Sequence, residues 1–565
     1  MSRRSLFLAL LALAGLTWLR VALVDHLPDQ GFFEKYLVIA RTLPRERLAE
    51  VSPAYLWLMV LLRGVGPHAI RTMQIIGVSI AALAAAMAAG RLGGRTAAFA
   101  AAIFILGSRA TLVCATDLEP EILIVLLDSF ALVALARERW FAGGALLGLA
   151  ATGRPVALLV AAAIGAWLLL RRELRDAAAF AIAVSLPVML AITGNFIITG
   201  DASLMDPGCA FYEGMNPSSE GYAGVQPRIV KEIEGAVQQP DYVHVAYRIV
   251  ASRAAGRTLT HRESNAWWTA KAVAFMREYP ENAARIAARK LLFAFHAYDR
   301  WDLSTMARKS RALERWPVWI PFPLMAALAG VALLRRRREA TIPLLFAAAS
   351  MTVLVLFFVS GRQREAVIPA LAVAAAIGVS ELVSVLRTSR LEAALMIAGI
   401  VIIATLLSVD GPAQREDLYT WGLLHDDEAM AFDRARELGR HGDWAAADAL
   451  FDALQRAGYQ PLREASAVPS VAWYRARAAL HLRRDPRPQL AVAAAAAPGD
   501  VHVLALQAVL GDRAAMRRAN ALHDPFTAEM ALAEAWSDAG NERNARLLAD
   551  DVRRRIPEWT PAGAS

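Results

Sequence analysis

The chain has 565 residues, 56% of them hydrophobic and 20% charged, and a mean hydropathy of +0.37, which excludes a soluble globular protein and describes a polytopic membrane protein with a less apolar part attached. A net charge of +9 does not mark a nucleic-acid binder, because the arginines cluster beside apolar spans and no basic groove interleaved with aromatics is visible. Cys114 and Cys209 are the only cysteines, too few for a disulfide framework or a cysteine-rich metal site, and one bridge or two buried thiols are both open.

Charge sets the expected topology. Arg3 and Arg4 precede an apolar run over 5–24, and no small-residue cleavage site follows Val24. This reads as an uncleaved first span with the N-terminus inside. The segment 25–69 is then external and begins with Asp29-Gln30-Gly31-Phe32-Phe33-Glu34 close to the membrane exit. Within it, the run from Ser52 to Leu62 is too short to cross and reads as an interfacial helix. Spans at about 70–90 and 96–113 flank Arg91-Leu92-Gly93-Gly94-Arg95 on the inside. A short outer loop with Asp117, Glu119 and Glu121 leads into a span at about 121–136, which ends at Arg137-Glu138-Arg139.

Residues 141–170 run between two arginine clusters and break at Gly153-Arg154-Pro155, which predicts a tight hairpin with its tip outside. A span at about 177–198 leads to an external loop over about 200–316 that is rich in polar and aromatic residues. Four more spans follow at about 317–334, 341–359, 366–386 and 391–409, with Arg335 to Arg338 and Arg387 to Arg390 on the inside.

The count is about eleven spans, an odd number, so whatever follows them sits on the outer side. The expected fold is all-α: a membrane domain over 1–410, a linker at 411–424 and a helical soluble domain over 425–565. In that tail, Gly442-Asp443-Trp444-Ala445-Ala446-Ala447-Asp448-Ala449-Leu450-Phe451 fits the helix-turn-helix unit of a tetratricopeptide repeat, with weaker echoes at Tyr474 to Leu482 and Ala531 to Ala545. A repeat array and a generic α-helical domain both accommodate this pattern.

Positive charge belongs inside, so arginines on the outer side need a reason. Arg109, Arg154, Arg362 and Arg364 are such residues. Contact with lipid headgroups or pairing with Glu365 is one account. The other is binding the phosphate of a lipid carrier, which guanidinium geometry suits. Asp29, Glu34, Asp117, Glu119 and Glu121 share these outer loops. Singly, each is ordinary solvated charge. Together they set a potential proton acceptor opposite an anion-binding site on one membrane surface.

In order and spacing these segments resemble GT-C glycosyltransferases of the group that includes protein O-mannosyltransferases and aminoarabinose transferases, specifically its bacterial multi-span members, over roughly 1–410. Asp29 to Glu34 resembles the first-loop acidic motif, and Ser52-Pro53-Ala54-Tyr55 its proline-tyrosine step. Leu118-Glu119-Pro120-Glu121 is similar to the second-loop acidic segment, and Gly148-Leu149-Ala150-Ala151-Thr152-Gly153-Arg154-Pro155 to the Gly-Leu-Ala … Arg-Pro element. Phe211-Tyr212-Glu213-Gly214-Met215-Asn216-Pro217 resembles the aromatic Gly-Asn-Asn-Pro segment, with Met215 replacing one asparagine. Trp267-Trp268, Tyr279-Pro280 and Arg289-Lys290 are similar to the helices that follow it, and Arg362 to Pro369 to the late Arg-x-Arg … Pro element. Gln30 stands where many members have an acid, and the second loop offers Glu119 or Glu121 in place of an aspartate.

The resemblance implies an inverting enzyme of the bacterial inner membrane, N-terminus cytoplasmic and C-terminal domain periplasmic. Its donor would be a polyprenyl-phosphate sugar and its acceptor an envelope glycan, a lipid or a protein. It implies Asp29 as general base with Glu34 second. Asp117, Glu119 and Glu121 would orient the acceptor or help hold a divalent cation, if one is used. Arg154, Arg362 and Arg364 would bind the donor phosphate, and Tyr55, Phe211, Tyr212 and Asn216 would form the substrate loop. Two other classes compete. A lipid-sugar flippase usually needs more intramembrane ionisable residues than Arg20 and Asp128. A non-catalytic scaffold recruiting a protein partner through its helical tail leaves the outer arginines without a purpose.

Overall fold

Several helices in this chain open on proline, and three close on arginine. Proline presets the helical φ and has no N–H to leave unsatisfied, so it suits a first turn. In the computed structural model the described residues are 36, 40, 52–116, 118, 120–199, 202, 204, 207–217, 219, 221, 243–297, 319–409, 431–432, 434–436, 438–439, 441–459, 470–522 and 525–555. The first seven helices are α1 (Pro53–Leu61), α2 (Pro67–Leu106), α3 (Arg109–Thr116), α4 (Glu121–Ala136), α5 (Trp140–Gly153), α6 (Val156–Leu170) and α7 (Leu174–Thr199). Next come α8 (Pro207–Gly214), α9 (Val243–Ala254), α10 (His261–Glu278) and α11 (Pro280–Phe295), then α12 (Phe322–Leu334), α13 (Thr341–Leu356), α14 (Gly361–Arg364), α15 (Ile368–Thr388) and α16 (Arg390–Leu406). The tail holds α17 (Trp444–Arg456), α18 (Val471–His481), α19 (Arg487–Ala496), α20 (Val501–Val509), α21 (Arg513–Leu522), α22 (Pro525–Asp538) and α23 (Glu542–Arg555). Proline stands in the first turn of α1, α2, α12 and α15.

Three helix ends share one stop. Arg137, Arg171 and Arg335 cap α4, α6 and α12. The residue after each cap turns left-handed, with φ of 56° at Glu138, 62° at Arg172 and 50° at Arg336. The next amide in each case reaches back into the last helical turn, as Arg139 N does to Ala134 O and Glu173 N to Leu168 O. Glycine usually fills that left-handed position, so charged residues there accept a strain of about 1 kcal/mol each.

The chain divides into two compact units, Met1–Met205 with Lys290–Val409 and Asp206–Arg289 with Asp410–Ser565. Among the described residues of the first, four helical stretches are long and apolar enough to cross a membrane: Ala69–Leu106, Leu174–Ile198, Arg338–Leu356 and Ile368–Thr388. Trp140–Gly153, Val156–Leu170 and Phe322–Leu334 are shorter apolar helices. α2 is not a straight rod. It reverses at Gly94, whose φ of 81° and ψ of −168° are not helical, and a Cβ on Gly90 would lie 3.1 Å from the Cβ of Ala98. Residues eight apart in a straight helix are about 12 Å apart, so the two halves fold against each other around Arg91 to Arg95.

Small residues let the helix backbones approach. Gly144 and Gly148 of α5 are four residues apart and face Phe180 O and Val184 O of α7, where an added Cβ would collide with the backbone. Gly378 of α15 likewise faces Leu328 O of α12. Between apolar helices in lipid such close packing substitutes for a hydrophobic driving force. Leu186, Leu190 and Ile197 of α7 and Leu395, Ile402 and Leu406 of α16 are exposed, as a surface against hydrocarbon requires.

The second unit joins segments distant in sequence. Tyr212, Tyr247 and Trp268 from the loop helices belong to the same hydrophobic cluster as Phe432, Phe451, Trp473 and Leu504 from the tail. The ring of Trp268 stands 4.9 Å from that of Tyr212 and 4.8 Å from that of Tyr247. The loop helices, which the sequence reading attaches to the membrane domain, thus share a core with the tail, because each half alone would leave its aromatic face in water. The tail helices pack pairwise in succession, α17 on α18, α18 on α19, α20 on α21 and α22, and α22 on α23. Cys114 and Cys209 are buried thiols, one in each unit.

Gly148→Val tests the packing of α5 on α7. It is expected to lower stability by about 1–3 kcal/mol or to prevent accumulation, since the added groups meet backbone rather than a movable side chain. Thermal unfolding of the detergent-solubilised protein reads it, and Gly165→Val, at an open position, is the control.

Candidate active site

Successive helices of the first unit reverse direction, so their turns sort to two ends. One end carries Gly94, Glu138, Arg172, Arg336 and Ser389. The other carries Gly107, Glu121, Arg154 and the segment from Phe357 to Val367. Polar side chains converge on this second end.

Ser52 is the hub. Its Oγ donates to Gly153 O at 2.7 Å, satisfying a carbonyl at the end of α5. Its N–H donates to the Tyr36 hydroxyl at 3.2 Å. The ring of Tyr36 stands edge-on to that of Tyr55, with centroids 5.0 Å apart. Tyr55 donates its hydroxyl to Gln74 Oε1 at 2.8 Å, and Gln74 Nε2 donates to Ala115 O at 3.0 Å. α1, α2, α3 and α5 are thereby fixed to one another beside the site by hydrogen bonds among buried groups, which are costly to break.

Arg154 follows Gly153 directly, and its Nη2 donates to Glu121 Oε1. Glu121 is 2% exposed and the Arg154 side chain 27%. Among the described residues, Glu121 Oε2 is buried with no hydrogen-bond partner. The arrangement is a desolvated carboxylate paired with a partly exposed arginine.

α14 packs against α3 and α13 at the same end. Ser360 caps it, accepting from Gln363 N at 3.3 Å. Arg364 is buried, lies over the Phe322 ring at 4.9 Å and donates through Nη1 to His296 O at 2.5 Å. Arg362, two residues earlier, is half-buried. Lys290 is fully buried, and its Nζ donates to Leu356 O at 3.3 Å and to Phe357 O, both carbonyls at the end of α13. Burial away from water pushes its amine down to about 7.

Of the residues expected from sequence, the structure joins Tyr55, Glu121 and Arg154 in one region and sets Arg362 and Arg364 on the turn that packs against α3. Asp29, Glu34, Asp117 and Glu119 lie outside the described residues. Phe211, Tyr212 and Asn216 belong to the second unit. There Asn216 is buried and its Nδ2 donates to Tyr212 O at 2.9 Å and Glu213 O at 3.0 Å, while the Tyr247 hydroxyl donates to Glu213 Oε1 at 2.8 Å. These residues brace the loop helices. No group of three or more His, Cys, Asp or Glu able to hold a metal occurs among the described residues. Sequence reading gave no site role to Gln74, Lys290 or His296; Lys290 entered it only within Arg289-Lys290, where the chain passes into the apolar run Leu291-Leu292-Phe293.

No family model matches the chain, and no curated protein or solved structure matches it either.

Two outcomes follow from this geometry. Arg154→Met strands the Glu121 carboxylate and is expected to cost about 1–3 kcal/mol, while Arg154→Met with Glu121→Leu recovers most of it; chemical or thermal unfolding measures both. Lys290 is charged in the unfolded chain up to its ordinary value near 10.5 but loses its proton in the folded protein at about 7. The unfolded state therefore binds more protons between those values, and stability rises with pH across that window. Lys290→Met is expected to flatten that rise.

Proposed function

We propose that this chain is a membrane glycosyltransferase that moves a sugar from a polyprenyl-phosphate donor to an acceptor glycan, lipid or protein. The observation that supports it most is the Glu121–Arg154 pair, set at one end of an apolar bundle. An apolar bundle suits the lipid tail of the donor, and a guanidinium held by a buried carboxylate suits its phosphate. In this reading the N-terminus is cytoplasmic, and the site and the C-terminal domain face the outer side of a bacterial inner membrane.

The reaction is an inverting displacement. The acceptor hydroxyl or amine attacks the sugar's anomeric carbon while a carboxylate, Asp29 or next Glu34, takes its proton. The bond from that carbon to the phosphate oxygen breaks, and its electron pair leaves with the lipid phosphate. Arg154 and Arg362 offset the charge that develops there, an effect usually worth most in such transfers. Glu121 orients Arg154. Arg364, turned onto His296 O and Phe322, supports the turn that bears Arg362.

The test is complementation of a deletion strain, read by mass spectrometry of envelope glycans, lipids and secreted proteins. Asp29→Asn is expected to accumulate like wild type and to transfer at least about a hundredfold more slowly. Full activity in Asp29→Asn moves the base elsewhere. Lipid-sugar movement across reconstituted vesicles without transfer would overturn the enzyme reading in favour of a flippase.

A further inference from the structure

Two short segments of the first unit grip each other from both sides. From 290–297, Lys290 Nζ donates to Leu356 O and Phe357 O. From 356–364, Arg364 Nη1 donates to His296 O at 2.5 Å. The 290–297 segment is itself anchored, since Ala297 N donates to Leu407 O at 2.8 Å and the His296 ring lies 3.0 Å from Val409 O through Nε2. Lys290 and Arg364 are both buried, so both contacts are charge-assisted or strongly polar bonds in a poorly solvated place, where they are stronger than at a surface.

The bonds close on the ends of one turn. Leu356 ends α13, Arg364 ends α14, and the residues between them are Phe357 to Gln363. The last carbonyls of α13 lack helical partners, and without Lys290 those of Leu356 and Phe357 would lose a buried donor. The turn holds one half-buried arginine, Arg362. A buried lysine is an expensive way to satisfy two carbonyls, because its desolvation must be offset by the bonds it makes. Such expense is ordinary where geometry has to be held for a function.

We propose that Lys290 is a positioning residue that locks the Phe357–Gln363 turn and so fixes Arg362 for an anionic lipid phosphate. The binding half of this statement rests on the proposed transferase reading; the locking half does not. Arg364 completes the lock from the opposite direction. His296, Arg362, Arg364 and Glu365 are the titratable or charged neighbours in and beside the two segments, and Lys290 reaches both carbonyls at the end of α13.

Hydrogen exchange and lipid binding on the full chain in nanodiscs test the two halves separately. Lys290→Met is expected to speed exchange of the amides in 357–365 about tenfold, since it removes both buried bonds to Leu356 O and Phe357 O, with the exchange of α5 and α7 unchanged. Undecaprenyl phosphate is expected to bind this variant about tenfold more weakly than wild type. Arg362→Ala with Lys290→Met is expected to bind no more weakly than Arg362→Ala alone, because both changes remove the same contact. Lys290→Gln keeps a donor and is expected to restore most of the protection and most of the binding; it carries the comparison if the methionine variant fails to accumulate. Unchanged exchange in 357–365 overturns the lock, and additive binding losses overturn the link to Arg362. If wild type does not bind undecaprenyl phosphate, the transferase reading falls while the exchange result still decides the lock.

Discussion

A charge taken out of water needs a partner, and the first unit is arranged around that constraint. Its arginine-rich turns hold one end, where Arg335 pairs with Glu392 at 3.0 Å and Arg337 with Glu381. At the other end the charged groups are drawn inward and held by partners: one oxygen of Glu121 by Arg154, Arg364 by His296 O and Lys290 by the carbonyls that close α13. Helix ends are where such groups belong, because only there do carbonyls and amides lack partners in their own helix. Asp128 departs from the pattern. It is buried inside α4, its Oδ1 has no hydrogen-bond partner among the described residues, and the structure offers no physical account of it.

The contrast between the two ends separates structural charge from candidate chemistry. At the arginine-rich end Arg335, Arg337 and Glu392 are exposed and only Glu381 is largely covered, and pairs so open to solvent contribute little to stability. Those of the other end are desolvated, which makes an incomplete bond there expensive. Glu121 combines a buried position, one oxygen held by Arg154 and one without a hydrogen-bond partner among the described residues. Buried and incompletely satisfied carboxylates are uncommon in native structures and concentrate at functional places.

Packing and candidate chemistry use the same short stretch of α5 for different ends. Gly148 and Gly144 admit the backbone of α7, whereas Gly153 offers its carbonyl to Ser52 and Arg154 reaches Glu121. The Gly148 to Pro155 segment is therefore a packing face at one end and a polar junction at the other. The aromatic segment around Tyr212 carries a different weight, since its rings complete a core with tail residues more than two hundred positions away.

The sequence by itself determined that the chain is helical and where several helices stop, although the break at Gly107 inside the span expected over 96–113 was not legible and the span expected over 5–24 lies outside the described residues. Apolar runs, first-turn prolines and arginine clusters act within a few residues, so the hairpin at Gly153-Arg154-Pro155 and the reversal near Gly94 were legible without coordinates. Ser52 to Tyr55 and Glu121 were legible as polar interruptions, although not as neighbours. Only tertiary structure decided which of them meet. The bond from Ser52 to Gly153, the pair of Glu121 with Arg154 and the reach of Lys290 to the end of α13 each join separate helices, and no local pattern encodes a partner that packing brings in. The same holds for the second unit, where loop and tail share one core because neither aromatic surface could stay in water alone.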